Sequence, residues 1–550
     1  MRLTTALRGI RQYANGWLYA SLLGAAAILL PVLTILISLF HSPNENWVHI
    51  KQFMLRDYVF QSVWLVLCSS FFTLFIGVLL AWLIAVYDFP LKRFYRWALV
   101  LPLAVPPYIA AYTYSTMTSY TGFIQTTLRG AFGWTPDPKW FGVMSMRGAV
   151  FVFALFLFPY VYMIARSFLE RQSSSYIENA RLLGRSPAAI FFRIVLPIAR
   201  PAIVGGGILV VFEVLSDYGV ASYFGIQTIS VAIFQTWFGM YDVDSAIRLA
   251  AWLMAGVIGL FVFERLLRGR RRYAATTSKS RPLSVIKLLG MRAAIACMFC
   301  GFIFCCSFLI PFLQLVVWAT WSYRDVLTPA FYELTGNTVQ IALLATAIIM
   351  VMSVITANVC RLQVNTFTYV LPRLVTAGYS VPGAIIAIGV LALFIGLDHL
   401  LAPLYARMSL GEAPLVLSMS VVMLVAAYVV RFMATGYNAA ESGYEKIGTK
   451  YTDASRLLGL GMTRTFLRVE LPLIKGALLS GLILTFVEIV KELPLALLLR
   501  PFNYETLATK TYQYASDERI YEAAVPSLFI IGVSMISVLI FHHLGKKLES

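Results

Sequence analysis

Four carboxylates stand where a polar side chain is expensive. Glu213 and Asp217 lie in one apolar run, Glu488 and Glu492 in another, and each pair is spaced i, i+4. On a helix that spacing puts both acids of a pair on one face. A carboxylate in lipid costs roughly 2.5–3.5 kcal/mol on insertion scales, so such groups face a cavity or a partner. Two readings stay open. The four acids line an acidic vestibule on a central axis, or they pair locally, with Lys491 neutralising Glu488 or Glu492 and Tyr218 supplying a hydrogen bond. A vestibule of oxygen donors suits hard cations. It would attract them transiently, without a closed metal site, because a path that binds too tightly stalls.

The surrounding chain explains why these acids count as intramembrane. Of 550 residues, 59% are hydrophobic and 13% charged, with mean hydropathy +0.78. Soluble domains carry about twice that charged fraction. A spanning helix needs roughly 20 apolar residues, and twelve such runs occur. They lie near 17–40, 59–86, 95–118, 148–168, 201–221 and 245–263, then near 293–320, 338–359, 370–397, 414–433, 476–497 and 524–543. None alternates as a barrel strand would. The expected fold is an all-α integral membrane protein with about 12 transmembrane helices. Pro102, Pro106 and Pro107 in the third span, and Pro372 and Pro382 in the ninth, should kink those helices; kinked spans either line the path or only pack.

Net charge +18 would suggest nucleic acid in a soluble protein. Here Lys and Arg gather on the segments left inside when the N-terminus is cytoplasmic, which places both termini inside. Arg265 to Arg272 reads as topogenic and lipid-facing, and no nucleic-acid partner is expected. The N-terminal run, preceded by Arg2, Arg8 and Arg11, exceeds the roughly 7–15 residues of a signal-peptide core and reads as a retained first span. Cys297, Cys300, Cys305 and Cys306 sit in an apolar run without nearby His or carboxylate and read as small packing residues. Gly443 to Lys450 has the glycine spacing of a phosphate loop. Its Thr449-Lys450 order misplaces both the lysine and the hydroxyl, so no nucleotide site follows. No catalytic residue is expected.

The chain repeats itself. Tyr176–Pro197 (YIENARLLGRSPAAIFFRIVLP) aligns without a gap on Tyr451–Pro472 (YTDASRLLGLGMTRTFLRVELP). The same offset carries Glu213 onto Glu488 and Asp217 onto Glu492; one residue more carries Val105-Pro106 onto Val381-Pro382. The organisation read from this is a first six-helix half at 1–263, a basic cytoplasmic linker at 264–292 and a second half at 293–550. An even number of spans per half gives both the same orientation, related by a pseudo-two-fold along the membrane normal with the path at their interface.

The repeated segment should form helix, turn, helix on the cytoplasmic side, within loops at about 170–200 and 434–475. Ser175 with Glu178 fits a capping box, and Thr452 and Asp453 supply the second start. Gly184 and Gly459 supply left-handed stops. Ser186-Pro187 reads as the start of a short helix ending before Pro197.

These residues resemble the EAA loop of binding-protein-dependent ABC importer permeases. The first copy matches at Glu178, Ala180, Gly184, Ile194, Leu196 and Pro197, the second at Asp453, Ala454, Gly459, Val469, Leu471 and Pro472. Departures are Asn179, Asp453 and Ser455. The resemblance implies coupling helices that dock on two cytoplasmic ABC ATPase subunits. It also implies a periplasmic binding protein and residence in a bacterial inner membrane. The chain itself then needs no cofactor, since ATP and magnesium belong to the ATPase. Phe212–Gly219, Lys491–Pro494, Leu499–Phe502 and Ala515–Arg519 resemble the iron(III) group of these permeases over nearly the whole chain, Leu495-Ala496 being a departure. That resemblance implies ferric iron, free or chelated, as cargo. Thiamine, a phosphonate or a polyamine are the other cargoes weighed, and an ion-coupled secondary transporter or a membrane enzyme the other classes.

Overall fold

The computed structural model describes residues 16–40, 42–135, 137, 141–170, 180, 182–268, 285–362, 366–407, 415–418 and 420–549. Glu178, Asn179, Ser175, Arg2, Arg8, Arg11 and the arginines at 270–272 lie outside them. The spanning helices are α1 (Gly16–Ser38), α2 (Glu45–Val86), α3 (Pro107–Thr118), α4 (Met146–Glu170), α5 (Phe191–Ser216) and α6 (Val243–Arg268). The second set is α7 (Met291–Val326), α8 (Pro329–Leu362), α9 (Gly383–Arg407), α10 (Val421–Ile447), α11 (Met462–Val490) and α12 (Ile520–Glu549). Among the described residues, eleven helices are long and apolar enough to cross a membrane. The third crossing is a broken one.

That break and its counterpart are where the prolines act. The third span runs as Lys92–Ala98, a 3-10 turn at Leu101–Ala104 and then α3. The ninth runs as Thr366–Thr376, a 3-10 turn at Ala377–Ser380 and then α9. Val105 and Val381 are extended at the two joints. Each precedes a proline, which disfavours the helical region for the residue before it and offers no N–H.

The halves exchange their outer helices. α1 packs against α8 and α9 of the second half, and α6 also lies on α9. In return α7 and α12 pack around the broken third span. The Thr34 hydroxyl donates to the Gly389 carbonyl at 3.2 Å, and Tyr112 and Ser527 hydroxyls meet at 2.6 Å. The connection between α1 and α2 is tied down. The Asn44 and Asn46 amides donate to Asp242 at 2.7 and 2.9 Å. Burial alone would raise the Asp242 pKa, but hydrogen bonds from Ser245, Asn46 and Asn44 outweigh it and hold the carboxyl below its usual value.

Inside each half, α5 and α11 approach their neighbours through repeated glycines. A Cβ on Gly206 would stand 2.9 Å from Val161 Cα, and one on Gly481 2.4 Å from Ala439 Cβ. Small residues let spanning helices meet at backbone distance, where dispersion replaces the missing hydrophobic drive. Gly206→Val should therefore destabilise the fold by about 1–3 kcal/mol, whereas Gly205→Val, with no atom within 4 Å of its Cβ, should lose much less. Thermal unfolding of the two purified variants separates them; equal midpoints would refute the close-packing account.

Candidate functional site

The repeated turns share left-handed glycines and the same backbone closure in both halves. Gly184 and Gly459 are left-handed, at φ 72° and 82°. The Arg185 amide bonds back to the Ala180 carbonyl at 3.1 Å and the Leu460 amide to the Ser455 carbonyl at 3.2 Å. This is the six-residue closure of a Schellman turn. The residues before each glycine are exposed leucines: Leu182 and Leu183 at 85% and 80%, Leu457 and Leu458 at 89% and 83%. Sequence reasoning singled out the glycines and passed over these leucines. Their signal was the repeated Leu-Leu-Gly at a polar turn.

The other expected residues distribute as follows. Ala180 is buried, Asp453 and Ala454 are exposed on Lys450–Leu457, and Glu178 lies outside the described residues. Leu196-Pro197 and Leu471-Pro472 do not end a helix as expected. A π turn precedes each pair, at Phe191–Val195 and Phe466–Glu470, and the chain continues into the body of α5 and α11. The wider turn absorbs the proline, whose missing N–H would break an ordinary helical ladder. Thr452 is not a cap either; Thr449 begins that helix and Thr452 is buried.

The four acids converge on a cavity of about 90 Å³ between the halves, beside both proline breaks. They do not share helix faces in pairs. α5 ends at Ser216 and α11 at Val490, so Asp217 and Glu492 fall just beyond. Asp217 accepts the Val220 amide at 2.8 Å and Glu492 the Leu495 amide at 3.4 Å. Each starts a short helix, Gly219–Tyr223 or Pro494–Leu499. A carboxylate answering free N–H groups is a strong helix-start signal, and it competes with continuing the span.

Both readings of the acids hold in part. Lys491 pairs locally with Glu488, Nζ to Oε1 2.8 Å. Tyr218 instead stacks on Phe234, ring centroids 3.7 Å apart. Glu213 faces the cavity with no hydrogen bond or ion pair among the described residues. A second cation, Arg431, enters from α10; it is not among the residues singled out from the sequence. Its guanidinium donates to the Val381 carbonyl at 2.7 Å and to Ser216 Oγ of the first half at 3.3 Å. Among the described residues no group of His, Cys, Asp and Glu is arranged to hold a metal.

Two stretches, residues 73–273 and 349–550, match the family described as binding-protein-dependent transport system inner membrane component. The chain belongs to this family. The two matches coincide with the two copies of the repeat. The permease is 24% identical over 489 residues to the Fe(3+)-transport system permease protein FbpB 2 of Haemophilus influenzae, covering 88% of this chain and 89% of that protein. It is 22% identical to the ferric transport system permease protein FbpB of Actinobacillus pleuropneumoniae, over 80% and 64% of the two chains. A shorter stretch, 27% of the chain, is 33% identical to 62% of the molybdenum transport system permease protein ModB of Escherichia coli.

The permease's second turn is braced by a network whose polar residues the first copy lacks in sequence. Arg361, at the end of α8, pairs with buried Glu470 and bonds Thr452 at 3.1 Å. Thr452 also donates to Glu470 at 2.5 Å, and the guanidinium lies 4.3 Å over the Tyr444 ring. In the first copy the positions of Thr452 and Glu470 are Ile177 and Val195. Removing one member of a buried pair strands the other at about 3–5 kcal/mol, while an apolar replacement of both is far milder. Arg361→Ala should show the full loss in thermal unfolding, and Arg361→Met with Glu470→Leu should recover most of it. Equal loss in both would show that the pair does not brace the turn.

Proposed function

We propose that this chain is the membrane-spanning subunit of an ATP-driven importer of ferric iron, free or chelated. The carrying observation for the cargo is the cavity between the halves, where four carboxylates face two cations and Glu213 stands unpaired. Oxygen donors suit a hard trivalent cation, and near end-to-end similarity to an Fe(3+)-transport permease points the same way. The chain holds no cofactor of its own. ATP and magnesium belong to two separate cytoplasmic ATPase subunits, and a periplasmic binding protein delivers cargo to the outer face.

The docking sites are the two inward turns. Their leucine pairs are large apolar groups left exposed among the described residues, and left-handed glycines hold them at the tips. Asp453 and Ala454, both exposed, belong to the same surface; Glu178 matches Asp453 in sequence and Ala180 is packed beneath the first turn, and Leu196-Pro197 and Leu471-Pro472 join the turns to the membrane. From each turn a helix with one π turn runs to Glu213 or Glu488. Movement of an ATPase at the turn is thereby delivered to the carboxylates, and the halves alternate between inward- and outward-open arrangements. Both termini face the cytoplasm.

Two measurements test this. Gly459→Val, or Leu457→Asp with Leu458→Asp, should reduce ATPase co-purification at least tenfold; unchanged co-purification would remove the turn from docking. Glu213→Gln combined with Glu488→Gln should lower ATP-dependent uptake of radiolabelled ferric iron into membrane vesicles at least tenfold, with assembly intact. Thiamine, spermidine and molybdate serve as alternative cargoes, and full iron uptake by the double variant would exclude the acids from the path.

A further inference from the structure

A second cavity, about 950 Å³, opens between α1, α8 and α11. Its wall is almost wholly apolar. Met350, Val351 and Val354 line it from α8, and Leu478, Leu479 and Leu482 from α11. Polar groups cluster at one end only: the Trp17 indole, which donates to Thr463 Oγ1 at 3.3 Å, and Lys475. Lys475 is exposed and has no hydrogen bond or ion pair among the described residues. The matching position of the first half also holds a cation, Arg200.

We propose that this groove binds an anionic phospholipid of the cytoplasmic leaflet, one acyl chain along α11 and the phosphate on Lys475. The shape decides the class. A wall that is apolar along one length and cationic at one rim matches a molecule with an apolar tail and an anionic head, and basic pockets between spanning helices on the cytoplasmic side select such lipids. The Trp17 ring stands at the same rim, at the depth where indoles settle in a bilayer. Arg464 and Arg468, both exposed on the segment below, add positive charge nearby. Free phosphate would leave the apolar length empty, and a zwitterionic lipid would leave Lys475 only partly neutralised.

The position gives the lipid a mechanical role. Met462, Thr463 and Phe466 belong both to the groove and to the first turns of α11, directly after the Gly459 turn. Phe466 also packs edge-on against Trp17, centroids 5.3 Å apart. A seated lipid therefore wedges the second turn against α1. From the proposed function this takes only which leaflet the groove faces; it does not depend on the cargo.

The test uses the full chain in nanodiscs with lipids brominated on the acyl chains, which quench nearby indoles. The chain has 11 Trp, so the Trp17 signal is the difference between the wild-type chain and Trp17→Phe. Brominated phosphatidylglycerol should quench that signal at an at least fivefold lower mole fraction than brominated phosphatidylcholine. Lys475→Gln should abolish the preference and Lys475→Arg preserve it. Equal quenching by the two lipids would mean ordinary surrounding lipid and overturn the proposal. Absence of quenching by either would mean that protein, such as residues 1–15, fills the groove, and would overturn it as well. A preference that survives Lys475→Gln would overturn the assignment of the headgroup site.

Discussion

Inside a bilayer every backbone N–H and C=O must find a partner within the protein. The arrangement around the axis follows from that constraint. Two spans are interrupted by prolines and two others stop at Ser216 and Val490, and each interruption frees polar groups that lipid cannot satisfy. The freed groups are answered by side chains. Arg431 takes the Val381 carbonyl, Asp217 takes the Val220 amide and Glu492 takes the Leu495 amide. Charged side chains are thus present at the axis partly because broken helices need them. Irregular backbone at this depth is tolerated where it lines a cavity and not where it meets lipid, and the breaks do surround one. Asp217 and Glu492 are consequently structural as well as electrostatic. Glu213, with no backbone group to serve, is the carboxylate most available to something passing.

The duplication has been kept in shape and relaxed in chemistry. Left-handed glycines, leucine pairs, π turns and helix-packing glycines recur at matched positions. Cations do not. Arg431 and Lys491, the two that enter the cavity, both come from the second half, and Lys491 stands where the first half has Ser216. The repeated turns differ in the same direction, with the Arg361–Glu470 pair bracing the second where the first has Val195 at the Glu470 position. A fused chain permits this divergence, because each half always meets the same partner. The two halves need not respond alike to one stimulus.

Much of this was legible in the sequence, for physical reasons. Spanning helices announce themselves by length and hydropathy, and a repeated turn announces itself because only glycine adopts its geometry cheaply. The convergence of Glu213, Asp217, Glu488 and Glu492 was legible from the repeat. Their shared helix face was not. The i, i+4 rule assumes an unbroken helix, and here the acids themselves help to end it. Arg431 was hidden by its place near the end of an apolar run, where a cation reads as a rim residue; α10 continues to Ile447, which leaves Arg431 deep inside. The Arg361–Glu470 pair joins residues far apart in the chain, and neither stands in a pattern that names the other. Pro197 and Pro472 misled because π turns leave no mark in composition.

The exchange of outer helices sets an order of assembly. α1 leaves the ribosome first, yet its main partners, α8 and α9, are made some three hundred residues later. At roughly 5–20 residues per second that interval lasts on the order of tens of seconds. For most of it α1 must survive in the bilayer without its second-half seat, touching α6 of its own half once that is made, a task suited to a stretch without a single charged residue from Gly16 to Ser38. Final closure of the bundle is then a late event in biogenesis, and a ribosome stalled before α9 would leave α1 without its seat.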